Sequence, residues 1–402
     1  MVEVGGGSSF FVGGGVHDTS GSELTGKLFK CALPRVSAVR SRHTFIMDLP
    51  KSMRGLRLEE FNKPYVYHSD LPVPQPRPGE IVIKVMAAGF CHTETVAMSG
   101  NYEGVTLPVI PGHENVGVVA ALGEGVTEFK VGDRVGTTTF CFSCGKCDDC
   151  QKGISNYCDS VQAAGFTVDG GMAEYMRCDP VWTVKLPDTM SFEKAAPLMC
   201  AGSTIYNSIY RAKQPKGAVI AIVGIGGLGQ LGVQYAKALG YRVVAVDTRQ
   251  SILDHVGALP IGLAPDLTIN PRDGAQAALE RISTRFEGAR GLAAAIVATD
   301  PIPAYTFATN ILAKHGVLVV VGLPKEPIPF HYSDIIFRDI SITSGTPCPK
   351  PLLQEMVNLT VEAGIQVDIK VYDGLESVSN LVQDYHDPDI KGKLVIKVNT
   401  VM

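Results

Sequence analysis

Two rhythms of apolar and polar residues divide the chain. From Met53 to about Cys200, short apolar runs alternate with turn residues. The runs are Glu80–Val85, Asn115–Ala121, Arg134–Thr137, Gly171–Met176 and Trp182–Leu186. Pro-Gly, Gly-Glu-Gly and Asp-Gly-Gly steps punctuate them, which predicts a small β barrel or sandwich with long loops. From about Ser203 the rhythm changes. Gly217–Val223 is a continuous apolar strand, Gly229–Leu239 a helix and Tyr241–Asp247 a second strand. Strands at Leu267–Asn270, Ala293–Ala298 and Gly316–Gly322 then alternate with helices at Ala275–Phe286 and Ala304–Leu312. Strands alternating with helices of about ten residues predict a parallel sheet covered on both faces.

The start of the chain follows neither rhythm. Residues 1–22 are rich in Gly and Ser, and residues 24–47 carry Lys27, Lys30, Arg35, Arg40 and Arg42 with no acid. Residues 1–52 are therefore expected to be a disordered extension outside the fold. The alternative is a mitochondrial transit peptide, although the Gly-rich start fits that poorly.

Composition narrows the function. The 402 residues contain 36 Lys+Arg and 40 Asp+Glu, a net charge of −4. That balance argues against a nucleic-acid partner. No apolar run reaches the roughly 18 residues that cross a bilayer. Ten cysteines without a secretory leader point to a reducing compartment, the cytoplasm, and five of them crowd into Cys141–Cys158.

The segment Gly224-Ile225-Gly226-Gly227-Leu228-Gly229 fits G-x-G-x-x-G. It follows a predicted strand, opens a predicted helix, and is followed by Asp247 at the end of the next strand. Gly224 allows the tight turn, Gly226 lets backbone approach a pyrophosphate, and Gly229 lets the helix pack close to the strand. The helix N-terminus offers free N–H groups to phosphate. Asp247 would accept from a ribose 2′-hydroxyl and repel a 2′-phosphate, favouring NAD over NADP. Arg249 complicates that preference. The competing reading is a structural Gly-rich turn.

Cys144, Cys147, Cys150 and Cys158 supply four thiolates within 15 residues. Intervals of two let successive sulfurs of one loop converge on a tetrahedral ion, so the pattern reads as a structural zinc site. An iron–sulfur cluster or free cysteines are the alternatives. Cys141, one step upstream, reads as a spectator. A second set is dispersed: Cys91, His113 with its neighbour Glu114, and Cys200. Two Cys and one His make a zinc site with an open fourth position, which can lower the pKa of an alcohol and polarise a carbonyl. Taken singly, each of these residues reads as an ordinary core side chain.

Together the motifs resemble a known family. Cys91-His92-Thr93, Pro111-Gly112-His113-Glu114, the four-cysteine loop, Gly170-Gly-Met-Ala-Glu174-Tyr175, Cys200-Ala-Gly and the glycine loop occur in the order found in zinc-dependent medium-chain alcohol dehydrogenases. Val321-Gly-Leu-Pro324 and Ile390-Lys-Gly-Lys393 also fit, and the match spans roughly Met53–Val398. The chain looks most similar to the tetrameric microbial branch. The resemblance implies an α/β fold, a GroES-like β domain plus a Rossmann doubly wound parallel sheet. It puts the GroES-like domain at residues 53–202, the Rossmann domain at 203–346, and a return to the first domain at 347–402. It implies two zinc ions per chain, NAD, a small-molecule alcohol or aldehyde substrate and a homotetramer paired through Rossmann edge strands.

The resemblance also implies roles. Cys91, His113 and Cys200 would hold catalytic zinc, with Glu114 able to approach it. Thr93 would take the alcohol proton. His92 and Lys393 would contact the pyrophosphate. Thr204 and the backbone near Val321 would position the nicotinamide. Departures are visible. Glu94 replaces the usual Asp behind the metal-binding His, and its extra methylene could retilt His113. Val96 replaces a His that ends a proton relay. Lys393 replaces an Arg, and Ile252 a Lys near the adenosine ribose. Tyr102 and Thr139, with Phe140 one register away, stand where small-alcohol enzymes have Trp. The reading is therefore a primary alcohol larger than ethanol, aryl or branched. A polyol- or threonine-type zinc dehydrogenase and a non-catalytic dinucleotide-binding sensor are the rival functions.

Overall fold

A computed structural model describes residues 49–387 and 390–399. The expected extension and its transit-peptide alternative lie, up to residue 48, outside the described residues. The fold begins slightly before the boundary set at residue 52. Leu49 packs against the Met53, Leu71 and Ile110 cluster, Lys51 O accepts from Val73 N at 3.3 Å, and the first strand is Ser52–Arg57.

One sheet of seven strands runs Ile369–Asp373, Lys393–Lys397, Ile81–Phe90, Glu114–Leu122, Arg134–Thr137 and Thr183–Lys185, with Tyr175–Cys178 also pairing on Ile81–Phe90. All these pairings are antiparallel except the first. Ile81–Phe90 is central because it is apolar on both faces, with only Lys84 as a charged interruption. Register shifts after Val82 and Val85 bend it, as bulges do. Chain-terminal strands thus pair directly with the strand that leads to Cys91.

The strand expected at Gly171–Met176 forms instead at Tyr175–Cys178. Gly170 and Gly171 are taken up by a close backbone approach. A Cβ on Gly170 would lie 2.0 Å from Gly112 O, and one on Gly171 would lie 2.3 Å from Asn115 Oδ1. Only glycine permits this contact, which braces the loop carrying His113.

The second sheet is fully parallel, in the order Leu267–Ile269, Arg242–Val246, Val219–Val223, Leu292–Val297, Leu312–Val320 and Ser341–Ser344. Strand order therefore reverses beside Val219–Val223, and the carboxyl ends of that strand and Leu292–Val297 open a crevice. The all-apolar strand Val219–Val223 buries both faces. Ile220 and Ile222 pack with Ile205, Leu231 and Val233, while Val219, Ala221 and Val223 pack with Ala278, Ile282 and Ala308. The helix after the glycine loop starts at Gly227, two residues earlier than expected, with Gly226 in extended conformation ahead of it. Met86, Ala87 and Val116 of the antiparallel sheet share a core with Ile205 and Ile220, which fixes the crevice between the two sheets.

Candidate active site

Four side chains from three separate segments converge. Cys91 ends the central strand and precedes the helix His92–Met98, His113 and Glu114 open the strand Glu114–Leu122, and Cys200 precedes the helix Ala201–Arg211. Their ligand atoms all lie within 4.8 Å of one another. Local chemistry fixes each position. Glu94 Oε2 accepts the Cys91 backbone N–H at 3.0 Å, closing the first helical turn. Gly112, at φ +102°, makes the turn before His113. Gly89 leaves the room that Glu114 fills, since a Cβ there would meet Glu114 Oε2 at 2.0 Å.

Glu94 does not retilt His113 out of reach. Its Oε1 lies 2.6 Å from His113 Nδ1, with both side chains buried. The Nδ1–H donates to the carboxylate, so the opposite nitrogen is the one that offers a lone pair once its proton is displaced. His113 Nε2 is buried with no hydrogen-bond partner among the described residues and belongs to the Cys91, Glu114 and Cys200 cluster. Two thiols, an imidazole lone pair and a carboxylate at this spacing fit zinc. Burial would keep His113 neutral, but Glu94 outweighs it and pushes the ring up to about 10. A cation arriving at Nε2 therefore displaces a proton. The Cys91 thiol is pulled well below its ordinary range, first by the hydrogen bond from Cys200, with Lys393 and His113 helping against burial.

Lys393 reaches into the same cluster, where its Nζ lies 2.8 Å from Glu114 Oε1. Both side chains are buried. Burial pushes Glu114 up to about 8, with Lys393 pulling the other way. The ammonium stays charged, since Cys91, Glu114 and Cys200 outweigh its own desolvation.

A cavity of about 780 Å³ opens over this cluster. Cys91, His92, Thr93, His113, Cys200, Thr204, Gly226, Gly227, Leu228, Val321 and Lys393 all line it, so metal-type and cofactor-type residues share one space. Glu114 and Asp247 lie buried just behind the wall, and Gly224 and Gly229 shape the turn beneath it. Gly229 is held by close approach, since a Cβ there would sit 2.0 Å from Gly224 O. Thr93 Oγ1 lies 3.9 Å from Cys91 Sγ. Tyr102, Thr139 and Phe140 all face the cavity, so both possible registers of the expected pocket residue contribute. Tyr102 stacks on Phe166 at 4.7 Å, and Phe166 packs against the His113 ring at 5.1 Å. Ile252, which stands where the family has a Lys near the ribose, is buried in the core. An aliphatic side chain on the inner face of Gln250–Gly257 gains more from packing than from the cleft.

Two contributors escaped sequence reading. His92 Nε2 meets Asp300 Oδ2 at 3.0 Å, and His92 Nδ1 meets Tyr385 OH at 3.0 Å. Asp300 follows the strand Leu292–Val297 at the topological switch, a position that could have marked it. Tyr385, in the helix Val378–Tyr385, carries no sequence signal.

The four-cysteine loop forms a second cluster, with Cys144, Cys147, Cys150 and Cys158 ligand atoms within 4.8 Å of one another. Backbone N–H groups turn toward sulfur, Cys147 N to Cys144 Sγ at 3.3 Å and Cys144 N to Cys158 Sγ at 3.4 Å. The backbone N–H groups of Lys146 and Cys147 pull the Cys144 thiol down to about 6, which favours the thiolate a metal needs. Cys141 stands apart in the core, pushed up to about 12 by burial. Tyr157 OH and Ser344 Oγ at 3.2 Å, and Asn156 with Thr346 at 3.4 Å, tie this lobe to the parallel sheet.

Known proteins resemble this chain in sequence and fold. The family model described as alcohol dehydrogenase GroES-like domain matches residues 77–188, and that described as zinc-binding dehydrogenase matches residues 227–361. An alcohol dehydrogenase of Geobacillus stearothermophilus is 37% identical over 350 residues, 86% of this chain and 100% of that protein. One of Rhizobium meliloti is 35% identical over 349 residues, 87% of this chain and 99% of that protein. The structure of a cinnamyl alcohol dehydrogenase from Sorghum bicolor aligns with a TM-score of 0.76 at 27% identity, covering 88% of this chain and 100% of that one.

Proposed function

We propose, from the premise that the chain belongs to the zinc-type medium-chain alcohol dehydrogenases, that it interconverts a primary alcohol and its aldehyde with NAD. The observation that carries this is the convergence of Cys91, His113, Glu114 and Cys200 below a cavity shared with the glycine loop.

Zinc bound by Cys91, His113 and Cys200 would supply a Lewis acid for the substrate oxygen, and a nicotinamide dinucleotide the two-electron acceptor. Thr93 Oγ1 takes the proton that the alcohol gives up. Glu94 holds His113 in the tautomer that presents Nε2. Glu114, neutralised by Lys393, stands behind the metal ligands as an alternative oxygen donor. Thr204 and the backbone at Val321 position the nicotinamide, and His92 and Lys393 line the cavity with Gly226 and Gly227, where the pyrophosphate would lie. Cys144, Cys147, Cys150 and Cys158 would hold a second, structural zinc. Val96 offers no imidazole for a proton relay, so the proton leaves Thr93 through water in the cleft.

The wall of Tyr102, Thr139 and Phe140 supports a substrate larger than ethanol, an aryl or branched alcohol. A homotetramer built on the Rossmann edge strand fits the exposure of Ile342 on Ser341–Ser344 and of nearby Tyr332, Ile336 and Phe337. Among the described residues no helix is long and apolar enough to cross a membrane. The reducing cytoplasm suits free thiolates.

The test is nicotinamide absorbance with a panel of alcohols and aldehydes, before and after chelation, beside a metal assay. Chelator-sensitive turnover fastest on aryl or branched alcohols is expected. Loss of kcat/KM with every carbon beyond two would reject the enlarged pocket, and zinc-replete protein without turnover would reject the enzyme reading.

A further inference from the structure

Asp247 is already committed inside this structure. Its Oδ2 accepts the Ile225 backbone N–H at 2.8 Å, and its Oδ1 accepts the Arg249 backbone N–H at 2.9 Å. The Arg249 guanidinium closes on the same carboxylate, with Nε 3.0 Å from Oδ1 and Nη2 3.0 Å from Oδ2. Four donors therefore engage the two oxygens. The bond from the Ile225 backbone pins the glycine loop to the end of the strand Arg242–Val246, and the bond from the Arg249 backbone closes the turn that follows. Burial alone would raise the Asp247 pKa, but the bonds from Arg249 and Ile225 outweigh it, so the acid stays ionised.

A lone acid at this position discriminates in two ways: it accepts from a ribose 2′-hydroxyl and repels a 2′-phosphate. A carboxylate neutralised by a guanidinium fork loses much of both. The Asp247 side chain is only 5% exposed, whereas that of Arg249 is 39% exposed and lines the cavity beside Gly226 and Gly227. Arg249 also precedes the helix Gln250–Gly257, whose N-terminus favours nearby negative charge. A planar guanidinium can bridge a carboxylate and a phosphate at once. Ile252 is buried, so the next turn brings no cation to this place.

We propose that the Asp247–Arg249 pair makes the pocket accept NADP as well as NAD, with Arg249 as the ligand of the 2′-phosphate and Asp247 as the clamp of the glycine loop. This rests on the nicotinamide reading above.

Calorimetric titration of the zinc-loaded enzyme with NAD, NADP and adenosine 2′,5′-bisphosphate tests it without turnover. The expected wild-type Kd for NADP lies within about tenfold of that for NAD. Arg249→Gln should weaken NADP and the bisphosphate at least about tenfold more than NAD, and Arg249→Lys should recover part of the loss. Added salt should weaken NADP more than NAD in the wild type, and equally in Arg249→Gln. Melting temperatures of the variants check that they fold. A wild-type preference for NAD above about a hundredfold, or an Arg249→Gln variant that shifts both Kd values equally, overturns the proposal. Tight NAD binding with no NADP binding rejects this inference alone. Binding of neither rejects the nicotinamide reading and this inference with it.

Discussion

One carboxylate serves two residues of the converging cluster: Glu94 lies 2.6 Å from His113 Nδ1 through Oε1 and 3.0 Å from the Cys91 backbone N–H through Oε2. It fixes the imidazole tautomer and the turn that aims Cys91. Glu94→Gln keeps the shape but loses the charge. It should weaken zinc about 10–100-fold, read by competition with a chromophoric chelator. Zinc held as tightly as in the native protein would show that Glu94 does not act through His113.

The Glu114–Lys393 pair is buried, so removing the carboxyl strands the Lys393 ammonium. Glu114→Gln should cost about 3–5 kcal/mol of stability in denaturant unfolding. The double variant with Lys393→Met should lose clearly less than the two single losses added together. Simple additivity would mean the two groups are energetically independent despite their 2.8 Å separation.

Cys150→Ser removes one thiolate from the loop cluster. Metal content should fall by one zinc per chain, and the melting temperature should drop, because a structural site contributes folding energy directly. The loop's ties to Ser344 and Thr346 carry the effect to the cavity wall, where Thr346 sits. Unchanged metal content would remove the second zinc from the account.

Asp247 sets a pH dependence. Its folded pKa is below the ordinary Asp value of about 3.9. Its contribution is therefore complete above that value and lost as the pH falls through the folded one. Asp247→Asn should melt lower than wild type at neutral pH, and the gap should close under acid conditions. A gap that stays constant with pH would exclude the carboxylate charge as its source.

Thr139 and Tyr102 both face the cavity, and Tyr102 is held by stacking on Phe166. Thr139→Trp should cut kcat/KM for benzyl-type alcohols by about tenfold or more while sparing ethanol, since an indole takes the volume an aryl group needs. Equal loss for both substrates would place Thr139 outside the substrate wall.

Much of the fold was legible because its signals are local. The continuous apolar strand Val219–Val223 and the glycines after it announce a parallel strand, a turn and a helix without help from distant residues. The spacing of Cys144, Cys147, Cys150 and Cys158 works the same way, since one short loop carries all four sulfurs. The misplaced strand at Gly171–Met176 failed for the opposite reason. Its Gly171, and Gly170 just before it, answer to Asn115 and Gly112, more than 50 residues away in sequence.

The two sheet types, the glycine turn and the identity of the metal-type residues can thus be read from the chain, because each is written in spacing along it. Packing in three dimensions supplied the rest. It brought Cys91, His113 and Cys200 to one point, turned the unusual Glu94 onto His113, buried Lys393 against Glu114 and closed Arg249 on Asp247. Those pairings depend on how two sheets pack across a shared core, and a side chain's charge state follows from the neighbours and the burial that this packing imposes.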